Sequence, residues 1–207
     1  MRRILFFGDS NTYGFDPRDP YEDRYPAKIR WTERLQELVS GDWEICADGL
    51  NGRCIPEREF ERRILLRVIR EHLPFHILGI MLGTNDYLRM HAPDPEAAAR
   101  KMERLIRWIY ESTPFDRASM RLLLLTPPAM NFTGDPYMGS YDTTDGRLSE
   151  EWIKAAKRNG ALWLNTDEWR LPMAYDRIHL TENGHLIFAE RMAEYLQKYQ
   201  DDRSYGK

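Results

Sequence analysis

The chain has 207 residues, with 30 Lys and Arg set against 33 Asp and Glu, a formal net charge of −3. That length suits one domain over 1–207, since domains run to roughly 100–200 residues. Hydrophobic residues make up 42% and charged residues 30%, too apolar for a disordered chain and too polar for a membrane protein, and the balanced charge excludes a dedicated nucleic-acid binder.

Met1 to Asp9 begins with two arginines and an apolar run, Ile4 to Phe7, ending at Gly8. Four apolar residues are too few for a signal peptide, which needs about 7–15, so the run predicts a buried strand and the chain is expected to be cytoplasmic. Apolar spacing at Trp31, Leu35, Leu38 and Val39 predicts a helix. Trp43 to Ala47 follows as a strand. Glu57 to His72 reads as a helix with Ile64, Leu65, Val68 and Ile69 on its inner stripe, ended by Pro74. Phe75 to Leu82 is the longest apolar run and predicts a central strand buried on both faces.

Pro95 to Tyr110 predicts a helix capped by Asp94, with Met102, Leu105, Ile106 and Ile109 inward. Leu122 to Leu125 is a further strand, stopped by Thr126-Pro127-Pro128. Gly146 to Asn159 predicts a helix closed by Gly160, Ala161 to Leu164 a short strand, and Thr181 to Tyr199 a last helix with Leu186, Ile187, Ala189, Met192 and Leu196 inward. Strands alternating with helices give an α/β fold, a three-layer α/β/α sandwich on a five-stranded parallel sheet. Phe15 to Arg30 and Thr126 to Asp145 are left as long irregular stretches. Cys46 and Cys54 fit no metal spacing and are expected as buried free thiols. Trp108, Trp152 and Trp163 serve as core or as subunit contact, which leaves homo-oligomerisation open.

Ligands of such sheets bind beyond the carboxyl ends of the strands, so the residues just after each strand carry the functional reading. After the first comes Gly8-Asp9-Ser10-Asn11-Thr12-Tyr13-Gly14. A serine at the start of a helix projects its hydroxyl into the cleft beside free backbone amides, and the loop lacks the lysine of a phosphate-binding loop. After the second comes Asp48-Gly49-Leu50-Asn51-Gly52-Arg53, a turn whose backbone can approach a ligand closely. After the third comes Gly83-Thr84-Asn85-Asp86, where Asn85 offers an uncharged N–H donor. Asp176-Arg177-Ile178-His179 precedes the last helix, a spacing that lets a carboxylate orient an imidazole. Taken singly, each also reads as ordinary turn or capping chemistry.

In this order and at these positions the four blocks resemble the SGNH hydrolases, the GDSL esterase/lipase family, along nearly the whole chain. The stretches Arg30-Trp31-Thr32, Asp48 to Arg53, Ile80 to Asp86 and Asp176 to Thr181 are similar to its arylesterase and acyltransferase branch. The resemblance implies a flavodoxin-like sheet and a serine esterase acting on a small-molecule ester, without metal or cofactor. It implies Ser10 as nucleophile, His179 as base and Asp176 as its orienter. The oxyanion hole would comprise the N–H groups of Ser10 and Gly52 with the Asn85 amide, Gly49 competing with Gly52. Tyr13, Trp31, Tyr87 and Tyr137 are expected to line the substrate pocket, and Phe15, Phe132, Met138 and Tyr141 lie in the same loops. Short-chain esters, carbohydrate O-acetyl esters, lysophospholipids and thioesters all stay open as substrates, as does a non-catalytic binding module on the same fold.

Overall fold

The computed structural model describes residues 1–19 and 24–204, and of 200–204 only the backbone. Residues 20–23, part of the irregular stretch predicted at 15–30, lie outside the described residues.

Five strands form one sheet: β1 (Arg2–Gly8), β2 (Trp43–Gly49), β3 (Ile77–Met81), β4 (Arg121–Leu125) and β5 (Leu162–Leu164). All neighbours are parallel, in the order β2-β1-β3-β4-β5. The chain therefore reverses direction across the sheet between β1 and β3, which opens a crevice above their carboxyl ends. Strands β1 and β3 are buried on both faces, as continuous apolar runs require in a parallel sheet.

Alternation along β1 divides the core in two. Leu5 and Phe7 join α3 (Glu59–His72), α5 (Pro95–Ser112) and α6 (Arg147–Arg158) on one face. Ile4 and Phe6 join α2 (Trp31–Leu38) and α7 (Glu182–Ser204) on the other. The fold is thus the expected α/β/α sandwich. Helix α5 follows its sequence signals closely: Asp94 accepts from the Glu96 N–H at 2.9 Å, Pro95 occupies the first turn, and Met102, Leu105, Ile106 and Ile109 are fully buried.

Three expectations are corrected. Ile64 is 39% exposed, and only Leu65, Val68 and Ile69 of its stripe face inward. In α7 the inward stripe is His185, Phe188, Ala189, Met192, Ala193 and Leu196, while Leu186 and Ile187 sit at the half-exposed margin. Polar His185 holds an inward position because its Nδ1 accepts the Trp31 N–H at 3.4 Å and its ring stands edge-on to Tyr25 at 5.2 Å. Cys46 and Cys54 are free but half-buried, not buried. Of the three tryptophans, Trp152 is core, Trp108 is partly buried against it, and Trp163 is exposed beneath Lys157.

Burial, with Arg30 and Arg34 nearby, pushes the His185 imidazole down from 6.5 to about 3. The folded chain keeps it neutral where the unfolded chain protonates it. Between those two values the unfolded state holds the extra proton, so stability falls as pH falls through the window, by at most about 1.4 kcal/mol per pH unit. Urea unfolding at pH 7 and pH 5 should show this loss, and His185→Gln should flatten it; an unaltered slope in the variant would assign the acid sensitivity to other groups.

Candidate active site

Three segments leaving the carboxyl edge of the sheet meet at one point. The first is α1 (Ser10–Tyr13), a single turn between two stops. Asp9 caps it, its Oδ1 accepting the Asn11 N–H at 3.0 Å. Gly14, at φ 86°, ends it with its N–H on the Ser10 carbonyl at 2.9 Å. The turn lies directly on the strand ends: a Cβ on Gly8 would overlap the Thr12 side chain, and one on Gly49 would overlap the backbone of Thr12 and Tyr13. Ser10 opens the turn and is 6% exposed.

The second segment is the loop before α7. Asp176 Oδ1 accepts the N–H groups of Ile178 and His179 at 3.0 and 3.1 Å, closing a tight turn in which Arg177 adopts φ 63°. Asp176 Oδ2 then lies 2.6 Å from His179 Nδ1, and His179 Nε2 lies 2.9 Å from Ser10 Oγ. Burial opposes the Asp176 charge, but the His179 ring and the two N–H groups outweigh it and hold this carboxyl below its ordinary value. The Phe15 ring packs on the His179 ring with centroids 4.6 Å apart.

The third segment supplies donors. Gly52 adopts φ 70°, and the N–H groups of Ser10 and Gly52 donate to no protein acceptor among the described residues. Asn85, in α4 (Thr84–Leu88), donates one amide hydrogen to the Arg53 carbonyl at 3.1 Å and keeps the other. The Ile55 N–H returns to Asp86 Oδ2 at 2.8 Å, and Lys101 reaches Asp86 Oδ1 at 3.3 Å. The Arg53 guanidinium bonds the Gly8 carbonyl at 2.8 Å, pairs with the Asp48 carboxylate and lies 4.0 Å over the Phe7 ring. Residues 52–55 are thereby tied to β1 on one side and α4 on the other. Asp9 is fully buried beside this group; burial pushes its carboxyl up to about 6, against the Asn11 N–H and the nearby His179 and Arg53.

The structure brings Ser10, Asp176 and His179 into one hydrogen-bonded line, and brings Gly52 next to Asn85 through Arg53. Gly49 is explained by close packing. Of the expected pocket aromatics, Trp31 and Tyr87 are buried. Trp31 is 1% exposed, donates Nε1–H to the Asn11 carbonyl at 2.9 Å and is wedged between Phe6 and Phe188. Tyr87 is buried edge-on to Tyr141, Tyr13 lies under the Arg24 guanidinium, and Tyr137 is 87% exposed on the 126–145 loop. Phe15 is the aromatic that meets His179. Sequence reading passes over Asn11 and Arg53, whose one signal is their place beside Ser10 and Gly52. A cleft of about 650 Å³ opens between the 126–145 loop and residues 166–177, with Asn131, Thr133, Thr144, Asp167, Arg170 and Arg177 among its walls.

The GDSL-like lipase/acylhydrolase family model matches residues 6–187. Among solved structures, a protein assigned as an arylesterase from Agrobacterium tumefaciens strain C58 is 26% identical over 96% of this chain and 99% of that chain, with a TM-score of 0.81. The native aryl esterase of M. smegmatis is 24% identical over 96% and 99%, TM-score 0.73. A carbohydrate acetylesterase from Sinorhizobium meliloti is 24% identical over 96% and 100%, TM-score 0.75. No curated protein sequence matches the chain. With the family model covering all four strand-end blocks, the chain belongs to the GDSL-like lipase/acylhydrolase family and is an ester hydrolase.

Proposed function

We propose that the chain is a serine esterase that cleaves short-chain esters of small alcohols through an acyl-enzyme. The observation that carries this reading is the line Asp176–His179–Ser10, with contacts of 2.6 and 2.9 Å. A serine hydroxyl is a weak nucleophile until a base takes its proton. His179 Nε2 stands within reach to take it as Ser10 Oγ bonds the ester carbon. Asp176 stays ionised, holds the proton on Nδ1 and stabilises the imidazolium. Charge develops on the former carbonyl oxygen, and the N–H groups of Ser10 and Gly52 with the spare amide hydrogen of Asn85 receive it. Collapse breaks the bond to the alkoxy group, which leaves as the alcohol with the His179 proton. Water repeats the sequence on the acyl group, giving up its proton to His179 and releasing the carboxylic acid.

A second reading within this one follows the likeness to a carbohydrate acetylesterase from Sinorhizobium meliloti: an O-acetylated carbohydrate is the alternative substrate. A panel of p-nitrophenyl acetate, longer acyl esters and acetylated sugars separates the two. Preference for longer acyl chains would count against both.

Ser10→Ala should abolish hydrolysis of p-nitrophenyl acetate and labelling by a fluorophosphonate while circular dichroism stays unaltered; retained activity would remove Ser10 from its role. Asn85→Ala should lower kcat by about 10²–10³-fold with little effect on KM, because its bond strengthens at the transition state. An effect on KM alone would take Asn85 out of the oxyanion hole.

Asp9 is the costly member of the site. Its carboxyl is held at about 6 in the fold against 3.8 in a free chain, so the folded state holds the extra proton between those values. Stability therefore falls as pH rises through that window, and the full cost stands above about 6. Asp9→Asn keeps a capping oxygen for the Asn11 N–H and removes the buried charge. Its melting temperature should exceed that of the unaltered chain at pH 8, with the gain shrinking by pH 5. A pH-independent difference would show that the burial of this charge is not the cause.

A further inference from the structure

Asp176 fixes the His179 ring relative to its own loop, because both belong to the same turn. It does nothing to fix that loop relative to Ser10, which lies 169 residues away in the chain. General-base catalysis depends on that second distance: an error of about 1 Å costs on the order of 10²-fold in rate.

Asn11 spans this gap. Its Nδ2 donates to the Ile178 carbonyl at 3.0 Å, and its Oδ1 accepts the Leu180 N–H at 2.9 Å. One side-chain amide thus holds the backbone on both sides of His179, from the residue next to Ser10. Asn11 is itself held. Its N–H donates to Asp9 Oδ1 at 3.0 Å, its carbonyl accepts Trp31 Nε1–H at 2.9 Å, and it is 2% exposed. Backbone and side chain are both engaged, in a setting where an unpaired group would be expensive. Further ties between these regions among the described residues include contacts of a different kind. Phe15 meets the His179 ring by ring packing, and Arg18–Glu182 and Tyr175–Pro17 are exposed.

We propose that Asn11 is a positioning residue that sets the distance between Ser10 Oγ and His179 Nε2, acting through the backbone of Ile178 and Leu180 and touching no substrate. The proposal rests on the serine esterase reading above. It also distinguishes Asn11 from a residue that only stabilises the fold, because a positioning residue changes the reactivity of Ser10 in each folded molecule.

Fluorophosphonate labelling kinetics separate these roles. Asn11→Asp keeps an oxygen for Leu180 but turns a second oxygen toward the Ile178 carbonyl, acceptor against acceptor. Asn11→Ser is too short to make both bonds, and carries the same measurement if Asn11→Asp does not fold. The expected result is a labelling rate constant lowered about 10–100-fold with a full endpoint of one label per chain, and kcat for p-nitrophenyl acetate lowered with KM unaltered. In Asn11→Asp the deficit should also shrink as pH falls from 8 to 5.5, because a protonated carboxyl can donate to Ile178 again. An unaltered rate constant, or a loss confined to the endpoint, would overturn the proposal, as would a deficit in Asn11→Asp that is constant with pH. An unaltered chain that takes no label overturns the esterase reading beneath it, whereas normal labelling of the unaltered chain with equally fast labelling of both variants overturns the role of Asn11 alone.

Discussion

The active-site region depends on how closely one helical turn can lie on two strand ends. α1 rests on β1 and β2 because Gly8 presents no Cβ to the Thr12 side chain and Gly49 none to the backbone of Thr12 and Tyr13. Any side chain at those positions would lift the turn that carries Ser10. The Arg53 guanidinium then closes the same edge from the side, bonding the Gly8 carbonyl and the Asp48 carboxylate. Interiors pack to crystal-like density, so the displacement of one element is transmitted to its neighbours rather than absorbed. The geometry at Ser10 is therefore a property of the sheet edge, set by residues around Ser10 rather than by Ser10 itself.

Charge is buried around this edge. Burial raises both Asp9 and Asp86, and lowers Arg53. Each is partnered: Asp9 by the Asn11 N–H, Asp86 by the Ile55 N–H and Lys101, Arg53 by Asp48. Such pairs often contribute little net stability, because desolvation offsets their attraction. Here the Ile55–Asp86 bond ties residues 52–55 to α4 and the Arg53–Asp48 pair ties them to β2, so the donors on Gly52 and Asn85 keep a fixed separation. Donors held in place before charge develops need no reorganisation during the reaction.

The elements with the strongest periodicity were legible in the sequence. Strands β1 and β3 and helix α5 are buried where their patterns place them, because in each the apolar residues alone set the face. The inward face of α7 was not legible, because the pattern assigns it by hydrophobicity and the structure gives one inward position to a histidine. Ser10, Asn85, Asp176 and His179 were expected from their places at strand ends or before the last helix and from the family likeness, and the structure places Ser10, His179 and Asp176 within hydrogen-bond reach. The placing of the aromatics was not legible: Trp31 and Tyr87 have the composition of a pocket wall but are buried in the core, and only three-dimensional packing distinguishes the two uses. Asn11 was hidden for a related reason. Its partners lie 167 and 169 residues away, and nothing local in the sequence marks a bond of that span.

The same span has a consequence for the life of the chain. Ser10 and its proposed base, His179, are 169 residues apart, so the two halves of the proposed chemistry are synthesised well apart in time. Long-range contacts of this kind form late, after their loop-closure entropy has been met. On the proposed mechanism, a nascent chain lacking the Asp176–His179 loop carries an unactivated serine. On that reading, hydrolytic competence arrives with the docking of this loop, and an activity assay doubles as a measure of that docking.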